Sequence, residues 1–302
     1  MATFVPGDVR VSVPATSANL GPGFDSLGLA LDHRDRVRAR VVGSGLRIEV
    51  RGSGEGTVPL DERHLVHRAM VAAFDEMGCP VPAVELECDN VIPHARGLGS
   101  SSAAIVAGLC AARGLVAGGS LLMDDDAVLA LATRLEGHPD NVAPAFYGGF
   151  TIAGEDAKGV FATSVAVDPR VGVVVFVPPQ PVETSVARGL LPATVAHADA
   201  AANAGRAALL VAALSRQPEL LLTATEDRLH QAYREPAMPP TLSLVHRLRE
   251  AGVPAVVSGA GPSVLAFTGH HTRDDVLGRV PAGWQALALE IDQRGAVVEV
   301  DA

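Results

Sequence analysis

The chain has 302 residues, enough for two moderate domains rather than one minimal one. Nearly half of the residues are apolar but only 4% are aromatic, so its cores must be built from Val, Leu, Ile and Ala. A formal net charge of -10 argues against nucleic-acid partners and acidic membrane surfaces, and no unbroken apolar run approaches the ~20 residues of a membrane span.

Residues 9–13 read as a short strand that Pro14 ends, and residues 16–28 as a loop rich in Ser, Asn and Gly. Residues 35–42 and 45–51 read as two strands around the turn Gly43-Ser44-Gly45. Leu65, Val66, Ala69, Met70, Ala73, Phe74 and Met77 recur at helical spacing, and Gly78 with Pro80 supplies the stop. Residues 84–88 form a strand leading into a glycine-serine loop and an Ala-rich helix. Asp124-Asp125-Asp126 is an acidic start for a helix over 127–135. Strand-like runs cover 150–167, with a turn at 154–159. The Val-rich run 171–177 reads as a buried strand opening a second unit. Helices are expected near 203–214, 226–233 and 241–251, and strands near 255–257, 264–268, 285–289 and 297–300. The chain therefore divides into an α+β unit over 1–167 and another over 168–302.

Cys79, Cys88 and Cys110 are odd in number and widely spaced, which fits reduced core residues of a cytoplasmic protein. No signal peptide is expected, and His270-His271 lacks the partners of a zinc site. Lys158 is the only lysine, so anion chemistry here rests on Arg, backbone N–H groups or a metal.

Five segments carry chemistry. In Ile92-Pro-His-Ala-Arg-Gly-Leu-Gly-Ser-Ser-Ser-Ala-Ala, the glycines let backbone approach an anion at a helix start, where unpaired N–H groups and the macrodipole favour phosphate. It is not a Walker loop, because no Lys-Ser/Thr pair closes it. The segment from Pro14 to Asp25 offers Asn19 and Asp25 on a loop of small residues, where turn-capping is the plainer role. Glu136-Gly-His-Pro-Asp-Asn gathers two acids, an imidazole and an amide, held off regular structure by Gly and Pro. Glu136 with Ser101 suits Mg²⁺, which takes few carboxylates alongside phosphate oxygens. Thr184 with Arg188 one helical turn on, plus Arg234, can clamp a carboxylate; two solvated surface arginines are the ordinary alternative. Ser258-Gly-Ala-Gly-Pro-Ser allows close approach of a ligand or of another backbone.

In their order along the chain the segments resemble the superfamily of galactokinase, homoserine kinase, mevalonate kinase and phosphomevalonate kinase. The stretch V-P-A-T-S-A-N-L-G-P-G-F-D-S-L-G-L-A-L from Val13 and the segment E-G-H-P-D-N-V-A-P-A from Glu136 are most similar to its homoserine kinase family. The resemblance implies ATP and Mg²⁺ as cofactors and transfer of the γ-phosphoryl group to the side-chain hydroxyl of L-homoserine for threonine synthesis. It implies an α+β fold: an N-terminal domain like the second domain of ribosomal protein S5, with a left-handed crossover that general handedness rules would not predict, and a ferredoxin-like C-terminal domain. Carried over by motif, Asn19 and Asp25 fall at the amino-acid substrate, with Thr184, Arg188 and Arg234 near its carboxylate. Pro93, Arg96, Gly97, Leu98, Gly99, Ser100, Ser101 and Ser102 fall at the nucleotide phosphates, and His64 near the base. Ser101 and Glu136 are the implied metal ligands, with Ser102 leaving open which hydroxyl serves. His138 and Asn141 would face the reacting hydroxyl, with Asp25 completing the catalytic set. The resemblance leaves a homodimer open. A kinase of mevalonate or a sugar, and a cleft protein that binds without catalysis, are the competing readings.

Overall fold

The computed structural model describes residues 3–301. In chain order the elements are β1 (Asp8–Ala18), β2 (Leu27–Val41), β3 (Leu46–Gly52), α1 (Leu65–Glu76), β4 (Val84–Asn90), α2 (Ser100–Leu115), α3 (Gly119–Leu122), α4 (Asp125–Glu136) and α5 (Pro139–Tyr147). They continue through β5 (Phe150–Asp156), β6 (Gly159–Val165), β7 (Val171–Val177), α6 (Thr184–Gly189), α7 (His197–Ser215), α8 (Leu221–Ala224) and α9 (Pro239–Glu250). The chain closes with β8 (Ala255–Val257), β9 (Val264–Gly269), α10 (Arg273–Leu277), β10 (Gln285–Leu289) and β11 (Val297–Val300).

The fold is α+β, with a seven-stranded sheet ordered β11-β1-β2-β4-β3, to which β5 and β6 attach through β2, and a four-stranded sheet ordered β10-β7-β9-β8. The strands flanking Gly43-Ser44-Gly45 are not bonded to each other. β4 lies between them, antiparallel to β2 and parallel to β3. A parallel pair needs a crossover, and α1 provides it.

Three expectations are corrected. Pro14 does not end β1; the register with β2 shifts between Pro14 and Ala15, and this irregularity absorbs the missing N–H. Residues 16–18 are therefore strand, which leads the chain to a tight turn at Asn19. No α-helix forms over 226–233. The Asp227 carboxylate accepts hydrogen bonds from the N–H groups of Leu229, His230 and Gln231 and turns the chain locally, ahead of a 3₁₀ segment at Ala232–Ala237.

β7 (V-G-V-V-V-F-V) is buried throughout, as its composition predicts. Val173 and Val175 join the large core under the first sheet, with α2 and α7, while Val174 and Phe176 face a smaller core closed by α9. One strand thus cements both layers. β11 pairs with β1, so the C-terminus returns to the first sheet, and a buried Arg34–Asp292 ion pair fastens that return. The three cysteines are free thiols.

Candidate active site

α2 begins at Gly99, a left-handed N-cap with φ 68°, and no side chain caps it. Its first-turn N–H groups face a cleft of about 300 Å³ lined by Gly97, Leu98, Gly99, Ser100, Ser101, Glu136, His138, Asp140, Asn141 and the clamp residues. The loop ahead of it is held by backbone rather than by cap chemistry. Leu98 is buried and its carbonyl accepts the Thr16 N–H at 3.1 Å. Ser258 donates its hydroxyl to the Gly97 carbonyl at 2.7 Å, and the Ser263 N–H reaches the Arg96 carbonyl. The second glycine-rich motif therefore buttresses the first. Gly97 has φ 71°, and a Cβ there would overlap the Ser258 carbonyl oxygen. Gly97→Ala should cost roughly 2–4 kcal/mol of stability and weaken ATP binding at least about tenfold. Unfolding midpoints and calorimetry read both; an alanine variant as stable and as tight as the parent would contradict this packing.

Glu136 ends α4, and Gly137 in the left-handed region turns the chain into α5. The Ser101 and Ser102 hydroxyls both donate to Glu136 Oε1, at 2.6 and 2.8 Å. Ser101 opens to the cleft, whereas Ser102 is fully buried. Asp140 and Asn141 lie in the first turn of α5, not off regular structure as their Gly and Pro neighbours suggest. His138 Nδ1 meets the buried Asp140 carboxylate at 2.7 Å. Burial pushes the imidazole down, but the Asp140 hydrogen bond and charge outweigh it and hold its pKa above the usual histidine value. The bonded form is the imidazolium. Its contribution to stability is present below the ordinary histidine range and is lost as pH rises through the folded value. Imidazole NMR should show His138 titrating above ~6.5, and Asp140→Asn should drop it below, since burial then acts unopposed. A midpoint unmoved by Asp140→Asn would refute the pairing.

The Thr16 hydroxyl donates to Asn141 Oδ1 at 2.8 Å, which fixes the amide so that its NH₂ is the group left for the cleft. Asn19, at φ 67°, donates to the Gly259 carbonyl and accepts the Asp25 N–H at 3.0 Å, so its amide shapes the wall it lines.

Arg188 on α6 grips Asp25 bidentately, at 2.6 and 3.1 Å, and this hydrogen-bonded pairing raises the guanidinium pKa. Arg234 is fully buried, not a solvated surface residue. It donates to the Gly259 carbonyl, but its Nε and Nη2 have no partner among the described residues. Burial, with Arg188 nearby, lowers its pKa to about 10. Both guanidiniums lie over the Phe24 ring, 5.6 and 5.8 Å from its centroid, and the His230 ring lies tilted against it with centroids 5.3 Å apart. Thr184 lines the same cleft. Thr16 and Phe24 are site-forming residues that motif reading missed; Asp140 belonged to the cluster it gathered but was given no role there.

A second cavity of about 270 Å³ shares Ser100 and Ser101 with the cleft and is lined by Val58, Pro59, Leu65, Val66, His64 and His94. His64 thus stands beside an apolar pocket next to the helix start, and burial lowers its pKa. Arg96 turns away, donating to the carbonyls of His94, Pro178 and Pro179. Pro93, Arg96 and Ser102 line neither cavity.

This chain matches the family models for the GHMP kinases N terminal domain over residues 64–149 and GHMP kinases C terminal over residues 200–286. Its class is therefore that of the GHMP kinases. It is 56% identical to a homoserine kinase of Streptomyces coelicolor, covering 96% of this chain and 94% of the relative. It is 48% identical to one of Mycolicibacterium smegmatis, over 85% and 83% of the two chains. The chain belongs to the homoserine kinase family. The crystal structure of homoserine kinase from Cytophaga hutchinsonii superposes with a TM-score of 0.85 at 26% identity, covering 98% of this chain and 99% of that one. Mevalonate diphosphate decarboxylase from Staphylococcus aureus shares the fold alone, with a TM-score of 0.69 at 16% identity over 97% and 98%.

Proposed function

We infer that the protein transfers the γ-phosphoryl group of ATP to the side-chain hydroxyl of L-homoserine, releasing O-phospho-L-homoserine and ADP. The observation that carries this reading is the Asp25–Arg188 pair with the half-unsatisfied Arg234 beside an uncapped helix start. A zwitterionic amino acid can exchange into that pair, its ammonium replacing Arg188 at Asp25 and its carboxylate replacing Asp25 at Arg188. Arg234, which lines the same cleft, adds a second positive charge beside that carboxylate. A sugar or mevalonate offers no cation for Asp25.

The phosphates rest on the N–H groups of the α2 first turn, with the base and ribose in the cavity beside His64. Glu136 and Ser101 are a hard-oxygen donor set that fits Mg²⁺, with nucleotide oxygens and water completing it. When bound, the ion neutralises phosphate charge and orients the phosphoryl group. Asn141 presents an NH₂ group and cannot serve as a strong base. It orients the acceptor hydroxyl, whose proton leaves late, to the phosphoryl oxygens. His138, biased toward imidazolium, adds positive charge where the transferring group becomes anionic.

A coupled ADP-release assay over a panel of alcohols tests this. L-Homoserine should be preferred at least about 10³-fold in kcat/KM over mevalonate and galactose, because each lacks a partner for a charged group. Comparable turnover of an uncharged alcohol would reject the zwitterion reading. Among the described residues no helix is long and apolar enough to cross a membrane.

A further inference from the structure

The cavity beside the helix start carries one carboxylate that neither the metal seat nor the clamp uses. Asp35, on β2, lines that cavity and is 7% exposed. Its Oδ1 accepts the Val91 and Ile92 N–H groups at 2.7 and 2.9 Å, fastening the chain just ahead of the phosphate loop. Its Oδ2 has no hydrogen-bond partner among the described residues. With Oδ1 taken by the Val91 and Ile92 amides, Oδ2 is the oxygen left for the cavity that Asp35 lines. Other buried carboxylates are answered inside the protein: Asp140 by His138, Asp292 by Arg34. Burial raises the Asp35 carboxyl to about 6 against the pull of its two amide bonds, so at neutral pH it is an ionised acceptor. A buried acceptor without a donor is costly, and a ligand can supply the donor.

We propose that Asp35 is a specificity-determining residue for the nucleotide, its cavity-facing oxygen accepting a hydrogen bond from a nucleoside donor, the purine amine or a ribose hydroxyl. The assignment rests on the reading of ATP as phosphoryl donor and adds the group that reads its nucleoside. Because Oδ1 of the same side chain anchors the loop, nucleoside recognition and phosphate-loop position share one residue. A nucleotide lacking the donor leaves Oδ2 dry and unpaired.

Calorimetry on the full chain at neutral pH measures ATP, purine riboside triphosphate, 2′-deoxy-ATP and 3′-deoxy-ATP. One analogue should bind roughly ten- to a hundredfold more weakly than ATP, and its identity names the donor. Asp35→Asn keeps an oxygen for the two amides but turns an NH₂ group to the cavity. In that variant the discrimination should shrink to under about threefold. If the amine is the partner, ITP should also gain on ATP, because its purine carries an acceptor there. Asp35→Ser, with a hydroxyl for the same amides, is the second variant if Asp35→Asn does not fold, and it should lose the discrimination likewise. No loss with any analogue, or the same loss in wild type and variant, overturns the proposal. Homoserine turnover is read in parallel. Its failure with nucleotide discrimination intact would count against the acceptor assignment and leave Asp35 standing.

Discussion

Arg234→Met should raise the KM for homoserine by roughly 10²–10³-fold while leaving the unfolding midpoint unchanged or higher. The two effects share a cause. Arg234 is buried with Nε and Nη2 unpartnered, so the fold carries a desolvated cation that it only partly satisfies. Methionine has similar volume and no such cost. Substrate binding would lose the second cation beside its carboxylate. Arg188 differs. Its charge is already answered by Asp25, so substrate must first part that pair. Arg188→Ala removes a carboxylate partner but also that competition, and its penalty in homoserine binding should be the smaller of the two. Steady-state kinetics in both substrates with a thermal melt check the argument. A destabilised Arg234→Met protein with homoserine affinity intact would make Arg234 a structural residue.

Elements governed by local pattern were legible in the sequence. The spacing of Val66, Ala69, Met70, Ala73 and Phe74 sets the buried face of α1, and the Val-rich run fills β7. The glycine-serine stretch does open a helix with its amides free, and the SGAGPS turn does permit close approach, of the phosphate loop itself. What escaped depended on distant partners. Pro14 would end an isolated strand, but β11 and β2 flank β1 and an irregularity in register accommodates the ring. One miss was local: residues 226–233 have helical spacing, yet the Asp227 carboxylate competes for the backbone N–H groups. The pairing of β11 with β1 joins residues nearly a chain length apart, and neither strand encodes it alone.

The site shows the same division. Motif reading gathered Asn19, Asp25, Glu136, His138, Asn141, Thr184, Arg188 and Arg234, and the cleft brings them within one neighbourhood, with Asp25 tied to Arg188. It could not find Phe24, whose ring looks like ordinary core filling until two guanidiniums from separate segments settle over it. Nor could it find Thr16, whose hydroxyl decides which end of the Asn141 amide is left for the cleft. Such second partners are set by tertiary approach, and their residue types are too common to stand out.

Glu136→Gln should lower kcat by roughly 10²–10³-fold and shift the Mg²⁺ requirement to higher concentration, with little change in stability. The amide oxygen of glutamine can still accept from Ser101 and Ser102, so the two hydrogen bonds that hold the side chain persist. What disappears is the charge. The proposed seat has a single carboxylate, so its charge is the one contribution that glutamine cannot replace. The serines separate by exposure. Ser101 opens to the cleft and can turn its hydroxyl from Glu136 to a cation, while Ser102 is sealed behind it. Ser101→Ala should therefore move the Mg²⁺ titration, whereas Ser102→Ala should mainly lower the melting temperature. The comparison guards against a trivial outcome, because a merely structural network would respond to both serines alike. If Glu136→Gln leaves kcat and the Mg²⁺ titration where they were, the ion is held elsewhere and Glu136 only anchors the first turn of α2.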